Sequence, residues 1–425
     1  MQISALHAVE LLDSRGNPTV GCRLVLSDGT IGCSVVPSGA STGVHEAYEW
    51  RDNQKERYFG KGVRLAVAAI NDFFASELKG KSFTCQQLFD SYLCDLGGDK
   101  RKSSYGANVI LALSQSFFCA CAQRHGLAVF ENFSGRNHND VLLPVPFMNC
   151  VNGGAHADNN LSIQEFMLVP HGFDSFSDAL RAGSEVHTVL GRLFKQRNIS
   201  VSRGDEGGFA PDIADTEAVL DLLLLAISEA GYTDKQVGLA LDFASSAFYR
   251  DQGYELAGDS IKKYYTRAQW VAYIESLVMR YPLVSLEDVA AEDDWETWAM
   301  LTASVGEKVQ LVGDDLFVTQ ESRLQYGIEQ GAANAILIKP NQVGTVSETI
   351  ATMALAKKNN YQCMVSHRSG ESEDVFIADL AVGMGCGQIK AGPARQQDRV
   401  AKYNRLLWIE SIYAKKACYS GLALP

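Results

Sequence analysis

Six short apolar runs in the second half of the chain each end in a side chain that can carry charge: GLALD at Asp242, LVSLE at Glu287, QLVGD at Asp314, AILIK at Lys339, CMVSH at His367 and GQIK at Lys390. Three carboxylates converging on one place repel one another unless a cation neutralises them. With no Cys or His in the set, all-oxygen ligation selects a hard ion such as magnesium or manganese over zinc. A lysine emerging from an apolar strand near bound cations has its charged form disfavoured, so Lys339 and Lys390 are expected to fall in pKa until one can work as a base. Taken singly, each acid could equally cap a helix, each lysine could face solvent, and His367 could be a satisfied loop histidine. The succession of all six argues for chemistry.

Four further motifs carry groups of the same kind. Arg368 and Ser369, in VSHRSGESED, can clamp a phosphate through a guanidinium fork and a hydroxyl. GDEGG at 204–208 sets Asp205 and Glu206 between glycines, which let backbone approach a ligand with little steric cover. Gln164 and Glu165 follow the polar loop NGGAHADNN, which contains His156. PSGASTG at 37–43 has the composition of a mobile lid, and its Ser41 could reach a metal or phosphate or simply belong to a surface turn.

Elements must position these groups. The steps between the six run endings are 45, 27, 25, 28 and 23 residues, which fit strand-helix units with one longer insertion. A shared end of many parallel strands is where a barrel or a doubly wound sheet places its site. Alternating runs at 3–12, 18–26 and 30–36, separated by the turns DSRGNP and SDG, predict strands, and three- and four-residue apolar spacing predicts helices over 62–77 and 105–124. Residues 1–135 then form a smaller α+β domain and 136–425 the larger α/β domain, with the boundary in the polar stretch SGRNHNDVLLP. The apolar segment LDLLLLAISEA at 220–230 is expected in a barrel's helical coat.

Composition bounds the partners. A formal net charge of -12 disfavours nonspecific binding to nucleic acid or anionic membrane, yet allows an anionic small molecule held by local cations. Ten cysteines without CxxC spacing read as reduced core residues of a cytoplasmic protein. No signal peptide and no membrane-spanning run are expected.

The ordered segments LLDSRGNPTV, PSGASTGVHEA, NGGAHADNN, QEFM, GDEGGFAP, SLED, LVGDDLF, ILIKPNQVGT, SHRSGESED and DRVAKYN closely resemble those of the enolases over essentially the whole chain. The resemblance implies a small α+β domain capping an unusual eight-stranded α/β barrel, usually as a homodimer or an oligomer of dimers. It implies reversible dehydration of 2-phosphoglycerate to phosphoenolpyruvate, through an enediolate stabilised by two magnesium ions. One magnesium would be held by Asp242, Glu287 and Asp314, and a second would involve Ser41. Lys339 would be the base and Glu206 the acid. His156, Gln164, Glu165 and Lys390 would orient the substrate, with Glu287, Asp314 and His367 bordering it, while Arg368 and Ser369 would hold its phosphate. Two departures from the family pattern stand out: Ala247 replaces an acid in ASSAF, and Gln396 takes an arginine's place in KAGPARQQDR. The changes near Lys390 motivate one competing reading, a relative that processes a phosphonate analogue; a reading of a different class is a protein that serves mainly as a binding component, including at a cell surface through plasminogen.

Overall fold

The computed structural model describes residues 1–40, 43–134, 141–213, 215–256 and 263–422. Ser41, the expected domain boundary within 135–140 and the last three residues lie outside that description. Three antiparallel strands open the chain, β1 (Ile3–Leu12), β2 (Pro18–Leu26) and β3 (Ile31–Val35), close to the expected runs. Alternation in β1 turns Ile3, Leu6 and Ala8 inward. Helical turns follow from residue 64 to 78, with a π-type widening between 69 and 74, and then the helices α1 (Gln86–Gly97) and α2 (Ala107–Arg124).

Helix α2 is buried around almost its entire circumference, as expected of a helix covered on all sides. It lies so close to β3 that a Cβ on Gly32 would come within 1.9 Å of the Ser116 carbonyl oxygen, and only glycine fits there. The buried hydroxyls at this contact are satisfied: Ser116 Oγ of α2 donates to the Cys22 carbonyl at 3.1 Å, and Ser34 Oγ of β3 donates to that of Ala112 at 2.8 Å.

The second domain is a closed barrel of eight strands: β4 (Val145–Asn152), β5 (Glu165–Val169), β6 (Gly238–Asp242), β7 (Leu283–Glu287), β8 (Gln310–Gly313), β9 (Ala335–Ile338), β10 (Gln362–Ser366) and β11 (Gln388–Lys390). From β6 round to β4 all neighbours are parallel, but β5 runs antiparallel to both β4 and β6. The first residue of β5 therefore stands at the end of the barrel where its neighbours finish. Near the opposite end, Gln310 and Gln388 close the interior by exchanging amide hydrogen bonds of 2.9 and 2.7 Å. The helical coat includes α3 (Phe176–Gln196) and α4 (Thr216–Glu229), the latter carrying the apolar segment at 220–230.

The cap is tied to the mouth of the barrel through backbone. Ser38 and Gly370 exchange N–H to carbonyl bonds of 2.8 Å each, Ser14 N donates to the Glu371 carbonyl at 2.7 Å, and Ala47 N donates to that of Gln342 at 2.9 Å. Among the described residues no helix is long and apolar enough to cross a membrane. All ten cysteines are free, but the expectation that they are core residues holds only for Cys22, Cys121, Cys150, Cys363 and Cys386. Cys33, Cys85 and Cys418 are exposed, Cys33 because alternation along β3 turns it outward between buried Gly32 and Ser34.

Helix α3 supports the site from behind. Its buried His187 stacks on Phe209, the aromatic that follows GDEGG, with ring centroids 4.6 Å apart. Burial, with Arg395 and Arg203 adding, pushes His187 down to about 3, so the folded ring is neutral while an unfolded one takes up a proton below pH 6.5. A depressed pKa gives stability that is present above pH 6.5 and drains away as pH falls toward 3. His187→Phe should therefore spare the protein about 2 kcal/mol of the stability that the wild type loses between pH 7.5 and pH 5. Urea unfolding at both pH values measures the difference, and an unchanged pH dependence in the variant would contradict it.

Candidate active site

Register decides which side chains meet. Asp242 is paired with Glu287 across β6 and β7, and with Glu165 across β6 and β5. Three carboxylates thus stand abreast on neighbouring strands, each nearly inaccessible to solvent. Lys390, the last residue of β11, reaches across the barrel to them, its Nζ 3.1 Å from Glu165, 3.1 Å from Asp242 and 2.8 Å from Glu287. Gln164 Nε2 donates to Asp242 at 3.3 Å. The three acids hold the Lys390 amine well above its usual range against the burial that opposes its charge. Burial and the neighbouring acids push Glu165 and Glu287 well above theirs.

A second amine faces Asp314. Lys339 Nζ donates to Asp314 Oδ2, and Gln342 Nε2 donates to Oδ1 at 2.9 Å. The depressed pKa expected of a lysine beside bound cations does not hold in the free chain. Burial lowers Lys339, but the Asp314 and Glu287 carboxylates raise it, and the net direction is upward. Asp314 itself is lowered, Lys339 overcoming the effect of burial.

On the other side of the site stand Glu206, His156 and His367. His156 Nδ1 lies 3.5 Å from Glu165 and 3.7 Å from Glu206, and Asn149 Nδ2 donates to Glu206 at 2.8 Å. Arg399 NH1 is 2.5 Å from His367 Nδ1. A guanidinium only donates, so Nδ1 accepts, and the ring carries its hydrogen on Nε2, which points at Glu206 from 3.5 Å. Burial pushes His367 down to about 4, which leaves the ring neutral at pH 7. Glu206, just as buried, is nevertheless held well below the usual carboxylate range by His156, His367 and Arg399. The adjacent carboxyls of Glu165 and Glu206 are thereby driven in opposite directions, one toward the acid form and one toward the anion.

These groups line a small cavity bounded by His156, Gln164, Glu165, Glu206, Asp242, Lys339, Ser366, His367, Arg368, Ser369 and Lys390. Glu287 and Asp314 stand just behind it, on Lys390 and Lys339. Arg368 and Ser369 form the rim toward the cap, where Ala40 N donates to Ser369 Oγ at 2.6 Å.

Among the described residues two groups of three offer ligand atoms at metal spacing: His156, Glu165 and Glu206, all buried, and Asp288, Asp314 and Asp315. Asp242, Glu287 and Asp314 do not close on one point in this conformation, because lysine amines stand between them as counter-charges. The donors nonetheless suit a hard cation: all are carboxylates, and Glu287 Oε1 is buried without a hydrogen-bond partner.

Several further residues of the site were given no role in the sequence reading. Arg399, Asn149 and Gln342 act through other side chains. Asp288 accepts from the backbone N–H of Asp314 and of Asp315, both at 2.9 Å, and so aims the Asp314 turn. Of the departures, Ala247 is exposed in a turn. Gln396 opens the helix Gln397–Tyr413 in a left-handed conformation against Gly207 of GDEGG, where a Cβ would meet its Oε1 at 2.9 Å.

Residues 3–133 match the family model described as enolase, N-terminal domain, and residues 140–424 match that for enolase, C-terminal TIM barrel domain. The chain belongs to the enolase family.

Lys390 is the counter-charge for three buried carboxylates, so Lys390→Met should cost about 3–5 kcal/mol at pH 7. The sign of its pH dependence follows from the raised Glu165 and Glu287: carboxyls raised by folding stabilise at low pH and lose that contribution as pH rises, and removing the amine raises them further. The deficit should be larger at pH 8 than at pH 5.5 in denaturant unfolding. An equal deficit at both would refute the assigned role of the amine.

Proposed function

We propose that this member of the enolase family catalyses the reversible dehydration of 2-phosphoglycerate to phosphoenolpyruvate. The observation that carries the reading is the meeting, around one small cavity, of the Lys339 amine and a carboxyl pair, Glu165 and Glu206, with unequal proton affinities. Removing a proton from the carbon beside a carboxylate and expelling hydroxide from the next carbon needs a base on one face and an acid on the other. Asp242, Glu287 and Asp314 would hold one magnesium ion, and Ser41 would help to hold a second. Bound there, the two ions would supply positive charge against which the enediolate dianion is stabilised.

Lys339 is the base. In the free chain Asp314 keeps it protonated, while Arg368 and Lys390 act in the opposite direction. Once the charge of Asp314 is engaged by a cation, those neighbouring positive groups favour the neutral amine that abstraction requires. Glu206 is the acid. It shares the proton of the carboxyl pair with Glu165, at whose side His156 stands against both. Lys390 and Gln164 orient the substrate from the β5–β6 side, His367 steadies Glu206, and Arg368 with Ser369 takes the phosphate. We place the activity in the cytoplasm, in a homodimer.

Folded protein supplied with magnesium should convert 2-phosphoglycerate to phosphoenolpyruvate, followed by the ultraviolet absorbance of the enol product. No turnover of 2-phosphoglycerate beside turnover of a phosphonate analogue would replace this reading by the phosphonate one. Lys339→Ala and Glu206→Gln should each slow dehydration by about 10²–10⁴. They part on deuterium exchange at the substrate's acidic carbon in heavy water, which Lys339→Ala should lose and Glu206→Gln should partly keep. The reverse pattern would exchange the two roles.

A further inference from the structure

The carboxylate of Glu46, in the capping domain, is the point where both arms of the site are joined. It is buried and forms a two-bond fork with Arg368, with NH1 to Oε2 at 3.0 Å and NH2 to Oε1 at 3.1 Å. The same Oε1 accepts from Gly43 N at 3.1 Å and from Gln342 Nε2 at 3.3 Å. Gln342 also holds Asp314, and its own Oε1 accepts from Thr319 Oγ1 at 2.8 Å, a hydroxyl that in turn accepts from Lys339 N at 2.9 Å. One carboxylate of the cap thus orients a guanidinium of the barrel, anchors the last residue of PSGASTG and, through one amide, aims the Asp314–Lys339 pair.

We propose that Glu46 is a positioning residue for the anion site: it fixes the Arg368 guanidinium in the orientation that receives the substrate's phosphate. The inference rests on the assignment of Arg368 as the phosphate-binding residue. An arginine fork held in place by one carboxylate has its rotamers restricted before the ligand arrives, and binding then orders less. A simple charge effect has the opposite sign. Removing a negative group beside an anion site would strengthen anion binding by Coulomb attraction alone, whereas losing a positioning group weakens it.

The test measures binding of inorganic phosphate by titration calorimetry, and KM and kcat for 2-phosphoglycerate, in wild type and Glu46→Gln at constant ionic strength. Glu46→Gln should weaken phosphate at least tenfold and raise KM by a similar factor, with a smaller change in kcat. Unchanged or tighter phosphate binding in the folded variant overturns the proposal. Glu46→Asp keeps the charge but is too short to span the fork, and it should weaken phosphate at least threefold. It decides the matter by the same criterion if Glu46→Gln does not fold. Phosphate binding separates this inference from the proposed reaction: wild type that binds phosphate but does not turn over 2-phosphoglycerate would defeat the reaction and leave Glu46 to be judged by phosphate alone.

Discussion

Three carboxylates placed side by side in the interior of a protein are an electrostatic problem that the rest of this site is arranged around. Glu165, Asp242 and Glu287 occupy paired positions on neighbouring strands, and at such separations in a medium of low polarisability their repulsion is far greater than in water. The chain answers with an amine from the far side of the barrel, Lys390, which touches all three. Such a buried cluster is a poor investment in stability compared with apolar packing of the same volume. Its presence is understandable if the excess negative charge is there to be met by something that comes and goes.

The direction of a single strand makes that cluster. Had β5 run parallel to its neighbours, Val169 would stand at the mouth and Glu165 at the far end. Because β5 is antiparallel to β4 and β6, its first residue sits beside the last residue of β6. The turn that precedes it, which carries His156 and Gln164, is brought to the same mouth, and with it the GDEGG segment, paired through Asn152 and Phe209. One reversal in an otherwise parallel barrel therefore delivers the acid side of the site.

That reversal also shows where sequence reading succeeds and where it stops. Asp242, Glu287, Asp314, Lys339, His367 and Lys390 were legible because each ends an apolar run, and the end of a parallel strand is a place that periodicity identifies. Glu165 begins its run, so nothing in the strand-end spacing marked it, and it was singled out instead as an acid following the polar loop NGGAHADNN. The state of Lys339 in the free chain differs from the expected one for a related reason. The sequence shows that the lysine leaves an apolar strand, which lowers its pKa, but not that Asp314 points straight at it, which raises it. Glu46 and Gln342 were invisible because their importance lies in contacts between segments about 300 residues apart, and a single sequence carries no trace of such pairings.

The opposite proton affinities of Glu165 and Glu206 impose an order on the proposed reaction. In the free chain Glu206 is the anion, kept so by His156, Arg399 and a His367 ring whose tautomer is fixed by the same arginine. An ionised carboxylate cannot donate a proton to a departing hydroxyl. The substrate, however, brings a phosphate and a carboxylate into the cavity, and added negative charge raises every carboxyl near it. Glu206 is among the carboxyls so raised, and Glu165, driven toward the acid form, stands at the same histidine. In the proposed reaction the acid would be armed by the arrival of the molecule it acts on, and cations held by Asp314 would weaken the charge that keeps Lys339 protonated. Both changes depend on charge entering the site, so the base and the acid would become competent only when the cavity is filled.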